Sequence, residues 1–389
     1  MNEVGLFWLL LPVAALSGWI LRGQSSRTKE VRRNQFTTNY FRGLNYLLNE
    51  QPDKAIEVFL KIAEVDSNTV ETHLALGNLF RRRGEVDRAI RFHQNLISRS
   101  GLSPEQRTNA LLELGEDYMR AGLLDRAEKL FTELIEIEAH TPNALRHLIA
   151  IYQQERDWHQ AIEHAKRLQR NSGIDMTPVI AQFYCEMAQT SLHESDPETA
   201  RTHLRRALRM DRNCVRASLI EGEIDQAEGS FDAATEAYGR VENQDLDYIP
   251  EILDPLLESY EQAGRSADGT DFLRRIITKY RGISPVLALA ERIEAAEGRR
   301  AAADFMGQQL KIRPSVRGLD YLIGLNLSDS KGEARENLLI LRELTSKLLQ
   351  GKPVYRCNNC GFGARSHHWQ CPSCKTWNSV KPIHGVSGE

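Results

Sequence analysis

The sequence predicts an all-α solenoid of two-helix repeats, preceded by one membrane-spanning helix and followed by a small β domain folded around a metal. Three observations carry that expectation: an uncharged run near the start, small and aromatic residues recurring about every 34 positions, and two C-x-x-C pairs near the end. With 389 residues and 41% hydrophobic content, the chain is long enough for a repeat array with a continuous core. Its 50 basic and 53 acidic residues leave a formal net charge of −3, which argues against a dominant nucleic-acid surface.

The first element is Val4 to Leu21 (VGLFWLLLPVAALSGWIL), uncharged for 18 residues. At a helical rise of about 1.5 Å it spans roughly 27 Å, close to the ~30 Å of a hydrocarbon core. Trp8 and Trp19 lie toward its ends, where indoles favour the headgroup interface, and Pro12 is tolerated in a membrane helix. A cleaved signal peptide carries positive charge before its apolar run. Here Glu3 precedes the run, whereas Arg22, Arg27, Lys29, Arg32 and Arg33 follow it against Glu30 alone. Residues 1–21 are therefore expected to form an uncleaved single-span membrane anchor with its N-terminus outward. Residues 22–35 would be a basic juxtamembrane linker, and the bulk of the chain cytoplasmic.

The middle is periodic. Gly43, Gly77 and Gly115 share one position, with Tyr46, Phe80, Tyr118 and Tyr152 three residues beyond it. Ala55, Ala89, Ala127, Ala161, Ala200 and Ala234 mark a second position, and Gly84, Gly122, Gly229, Gly264 and Gly298 mark the turn between the two. This pattern resembles the tetratricopeptide repeat, a 34-residue helix-turn-helix. Residues 36–317 are expected to hold about eight such units, with 318–350 a capping helical pair. Ile149 and Ala188 replace the glycine in two weaker units. Stacked pairs bury one another's apolar faces, giving a right-handed superhelix whose groove is lined by the first helix of each pair and suits protein partners. Arg81 to Arg83, and Arg205, Arg206 and Arg209, read as solvated faces; Cys185 and Cys214 read as small core residues.

The final element is C-x2-C-x10-C-x2-C: Cys357, Cys360, Cys371 and Cys374. Two thiolates three positions apart grip one side of an ion and the second pair completes a tetrahedron, as in a zinc ribbon or rubredoxin-like site. Zinc is the expected ion and iron the alternative. Four sulfur ligands leave no open position, so the role is structural. Gly361 suits the turn after the first pair, where the second pair has Lys375. Tyr355, Phe362, Trp369 and Trp377 are expected to form a small apolar pack, and His367 and His368 to be packing or surface residues. Residues 351–389, joined through Gly351-Lys352-Pro353, would dock on the last repeats and fix the end of the array.

No phosphate-binding loop, zincin or nucleophile-elbow motif is present, and His193-Glu194 lacks the second histidine of a zincin. A non-enzyme is expected. The order of parts, with LLLPVAA near residue 9, LGNLFRRRGEVDRAIR from Leu76 and the ending YRCNNCGF…WQCPSCKTWNSVKPIHG, resembles the lipopolysaccharide assembly protein B family over essentially the full length. That resemblance implies an inner-membrane adaptor that promotes degradation of the deacetylase LpxC by the protease FtsH and gathers lipopolysaccharide-synthesis enzymes. It also implies that the four cysteines are the family's metal ligands. An electron carrier using ribbon iron and a membrane-tethered nucleic-acid binder are the alternatives, and homo-oligomerisation is left open.

Overall fold

The computed structural model describes residues 41–43, 45, 46, 49, 51–65 and 70–389. The apolar run, the basic linker and the start of the first repeat lie outside the described residues. Among the described residues no helix is long and apolar enough to cross a membrane. The chain divides after Gly173 into two compact units.

The first unit contains α1 (Pro52–Val65), α2 (Val70–Arg82), α3 (Val86–Ile97), α4 (Pro104–Arg120), α5 (Leu124–Glu136), α6 (Thr141–Glu155) and α7 (Trp158–Ser172). The second contains α8 (Thr177–His193), α9 (Pro197–Met210), α10 (Val215–Ala227), α11 (Phe231–Gly239), α12 (Val241–Gln244), a single 3₁₀ turn (Leu246–Tyr248), α13 (Ile249–Gln262), α14 (Ser266–Lys279), α15 (Ser284–Glu297), α16 (Arg299–Ile312), α17 (Val316–Leu327) and α18 (Glu333–Leu349). A small sheet of β1 (Tyr355–Cys357), β2 (Gly363–Ala364) and β3 (Val380–Pro382) follows. Each unit is thus a stack of antiparallel helix pairs, a tetratricopeptide-type array. The first helix of each pair is called the A helix below.

The repeated glycines work by close approach. A Cβ on Gly43, Gly77, Gly115 or Gly222 would run into the ring of Phe59, His93, Phe131 or Tyr238, each 16 residues downstream on the second helix. The alanine position faces the same seam: Ala55, Ala89, Ala127, Ala161, Ala200 and Ala234 are all fully buried. The turn glycines adopt positive φ, and where the series lapses Arg156 (φ 59°) and Ser195 (φ 62°) take the same conformation. Those two pairs keep the repeat geometry at the expense of backbone strain that glycine avoids. The insertion at Gly101 to Pro104 ends in a capping box: Ser103 accepts from the Gln106 N–H, while Gln106 reaches back to the Ser103 N–H.

In the first unit, histidine at the ring position of one pair creates a buried polar cluster. His93 and Asp117 are both fully buried, with Nδ1 2.5 Å from the carboxylate. Arg81 donates to Asp117 at 2.7 Å, to Glu113 at 2.6 Å and to Glu116 at 2.9 Å, and His147 meets Glu116 at 3.2 Å. Arg81 is therefore not the solvated charge its Arg-Arg-Arg context suggested. Burial disfavours its cation, but hydrogen bonds to Glu113 and Asp117 outweigh that and raise its pKa.

Among the described residues, two contiguous apolar cores can be traced through the helices of the second unit. One joins α8, α9 and α10 and holds Cys185 and Cys214, whose sulfurs are 3.7 Å apart. The other runs from α10 to α17 around Tyr238, Tyr248, Phe272 and Met306, and it recruits Trp369 from the β domain.

Candidate metal centre

The sheet has strand order β2-β1-β3, with β1 antiparallel to both neighbours and Tyr355 opposite Ala364 and Pro382. Strands this short provide little core of their own: Val380, Cys357 and Cys371, with Tyr355, Phe362 and Cys374 against them. Cys357 ends β1, and the chain turns through Cys360 and Gly361 (φ 78°), whose N–H donates to the Cys357 carbonyl. The second pair repeats the turn, with the Lys375 N–H donating to the Cys371 carbonyl. Lys375 adopts φ 58°, so the absent glycine changes the residue and not the backbone.

All four predicted cysteines converge. Their sulfurs lie within 4.8 Å of one another, with 3.7 Å between Cys357 and Cys374 and between Cys360 and Cys371. A tetrahedron with metal–sulfur bonds of about 2.3 Å has edges of about 3.8 Å, so the cluster fits one tetrahedral ion. The four cysteines form a metal-binding site. A hydrogen bond with the Ser379 hydroxyl holds Cys357 below the usual thiol range. Hydrogen bonds with Asn359 and Thr376 pull Cys374 down to about 5. Both effects favour the thiolates that a metal requires.

The remaining aromatics do not close on one another as the composition suggested. Tyr355 and Phe362 stay with the ribbon, but the tryptophans turn to the helices. Trp369 stacks on Tyr248 with centroids 5.2 Å apart, and Trp377 meets Phe183 edge-on at 6.0 Å. The Arg216 guanidinium lies 5.8 Å from both indoles and donates to Glu186 at 2.7 Å and Gln189 at 2.6 Å. Lys381 lies over the Tyr248 ring at 3.9 Å and pairs with Asp245 at 2.5 Å. Further along, Tyr355 bonds Glu251, the Val316 N–H donates to the Val386 carbonyl at 2.8 Å, and Glu389 accepts from the Ser284 N–H at 3.1 Å and from Arg317.

These partners sit on α8, α10, the 3₁₀ turn, α13, α15 and α17. The ribbon therefore lies along the A-helix face of the second unit and does not merely close the end of the array. No short motif marks Arg216, Asp245 or Glu251 as docking residues; the one available signal was two tryptophans in a segment too small to bury them.

His367 is the packing residue expected of it, enclosed by Trp369 at 4.5 Å, Tyr248 at 5.2 Å and Tyr355 at 5.8 Å. Burial, reinforced by Lys381, His368 and Arg216, lowers its pKa from 6.5 to about 4. The docked state thus holds this imidazole neutral. Its contribution is fully present above the ordinary histidine pKa and is lost as pH falls toward 4. Between pH 7 and pH 5 the folded, docked ribbon should lose about 2 kcal/mol relative to the unfolded segment. Tryptophan fluorescence against pH, with bound metal assayed in parallel, reads this directly. His367→Gln should flatten the profile, and a wild-type profile already flat over that range would contradict the assignment.

The comparisons with known proteins agree with this architecture. Residues 355–382 match the family model described as a rubredoxin metal binding domain, and residues 72–108 match a tetratricopeptide repeat model. The chain is 40% identical over 385 residues to lipopolysaccharide assembly protein B of Escherichia coli K12, covering 98% of this chain and 99% of that protein. It is 35% identical to the protein of the same name from Haemophilus influenzae, covering 98% of each.

Proposed function

This chain belongs to the lipopolysaccharide assembly protein B family, and from that premise we propose that it is a membrane-confined adaptor that limits lipopolysaccharide synthesis. It brings the deacetylase LpxC to the protease FtsH at the cytoplasmic face of the inner membrane, and it gathers other lipopolysaccharide-synthesis proteins there. It acts by binding, without catalysis. The observation that carries this reading is likeness to assembly proteins over 98% of the chain.

In this reading residues 1–21 are the anchor and 22–35 the basic linker. Residues 36–317 form the repeats, 318–350 the last pair and 351–389 the metal domain. Cys357, Cys360, Cys371 and Cys374 each give one thiolate to a zinc ion, which staples the ribbon and takes no part in a reaction. Confinement to the membrane plane raises the effective concentration of the repeats around other membrane proteins. The ribbon lies along the A-helix face of the second unit, so in this reading recognition falls to the A-helix face of the first. There Arg81, Arg82, Glu116, Met119, Arg120 and His147 line an open cleft of about 590 Å³. Depleting the protein should lengthen the half-life of LpxC in cells, measured by pulse-chase. An unchanged half-life would sink the proposal.

A further inference from the structure

A repeat array ends well when its last repeat turns a polar face outward, because no neighbour covers that side. The final helix here does the opposite. α18 packs against α17 and holds Thr345 buried, its hydroxyl donating to Asp320 at 2.6 Å. On its flank Ile340, Leu341, Leu344 and Leu348 are 57%, 48%, 51% and 52% exposed. Ile340, Leu344 and Leu348 stand four residues apart and form one continuous ridge, with Leu341 beside it. Isolated exposed leucines need no explanation, but a contiguous apolar ridge marks a contact surface.

The charges say what kind of contact. A helix lying on lipid presents a cation-rich polar face. The polar side of α18 is mixed, with Glu333, Glu336 and Glu343 against Arg335, Arg342 and Lys347. These charges are also polarised. The first turn is net acidic, through Glu333 and Glu336, while at the far end Lys347 pairs with Glu343 at 2.6 Å and Lys352, just beyond the helix, leaves the excess basic.

We infer that the ridge pairs with the same ridge of a second copy of this chain, the two helices running antiparallel. Antiparallel pairing about Leu344 sets Ile340 of one copy beside Leu348 of the other. It places each acidic first turn against the other copy's basic end and opposes the two helix dipoles. The surface is self-complementary, as a two-fold interface requires. A parallel pair would stack acid on acid and base on base.

The test uses the full-length protein in mild detergent, sized by analytical ultracentrifugation over a concentration series. The wild type should reach the mass of two chains. Leu344→Glu with Leu348→Glu should weaken association by at least about tenfold, the equivalent of 1.4 kcal/mol, with an unchanged thermal melt. Glu333→Lys with Glu336→Lys should also weaken it, and adding Lys347→Glu and Lys352→Glu should restore it. A photo-crosslinker at Leu344 in intact membranes should give an adduct of twice the chain mass.

A wild type that stays a single chain at every concentration overturns the proposal, as does a dimer that the leucine variants leave intact. An adduct of any other mass would assign the ridge to a different protein. Protection of α18 from hydrogen exchange only on adding anionic lipid would assign it to the membrane surface. Failure of the charge-reversed quadruple variant to recover would overturn the antiparallel arrangement.

Discussion

Serine at both Cys357 and Cys360 is expected to abolish metal binding, unfold residues 351–389 and uncover the A-helix face of the second unit. The size of the effect follows from how little else holds this segment. Its strands are two or three residues long, and the core beneath them is Val380 and the ligands themselves. Segments below about 40 residues rarely fold without a staple, and a structural zinc contributes apparent binding energies of about 10–16 kcal/mol near neutral pH. Loss of the ion should therefore be felt across the whole docking surface. Trp369 leaves Tyr248, Trp377 leaves Phe183, and the buried Arg216 loses both indoles above it. Metal analysis, limited proteolysis and a red shift of tryptophan emission report the three consequences separately. A tail that stays protease-resistant without metal would remove the structural role assigned to the ion.

Asp117→Ala should destabilise the first unit by about 1–3 kcal/mol, because it leaves the fully buried His93 ring without its hydrogen-bond partner and takes one of three carboxylates from Arg81. Asp117 is fully buried, accepts from Arg81 at 2.7 Å and meets His93 at 2.5 Å. The cost falls on His93, whose ring packs tightly against Gly77, whereas Arg81 keeps Glu113 and Glu116. Asp117→Asn keeps an acceptor of the same shape and should cost less, with the difference reporting the charge. Chemical denaturation of the full-length protein, followed by protease sensitivity of α2 to α4, gives the measurement. A loss below about 1 kcal/mol for the alanine variant would mean that water or rearrangement satisfies the cluster.

The cluster also shows where periodicity stops informing. Gly77 and Phe80 could be read as repeat residues from spacing alone, because each contacts its own helix pair. That position 93 holds histidine where sister repeats place Phe59, Phe131 or Tyr238 could be seen in the sequence. That Asp117 and Arg81 would close around it could not, since Arg81 looked like one charge in an exposed run. Positive φ at Arg156 and Ser195 was equally hidden, because neither residue type announces a turn.

The sequence by itself determined the two-helix repeat and the four-cysteine cluster. Both are written in short, repeated spacings: small residue, ring and turn within 34 positions, and ligands three apart across a ten-residue link. Local geometry dictates such spacings, so they can be read without knowing what lies next to them. Only the tertiary structure decided that the ribbon lies along the A helices of the second unit, that its tryptophans serve the interface, and that the apolar ridge of α18 has no cover from the described residues. Those outcomes rest on pairs such as Lys381 with Asp245 and Tyr355 with Glu251, 136 and 104 residues apart. A contact of that kind occurs once, between surfaces that each look ordinary alone, and it leaves no period for a single sequence to display.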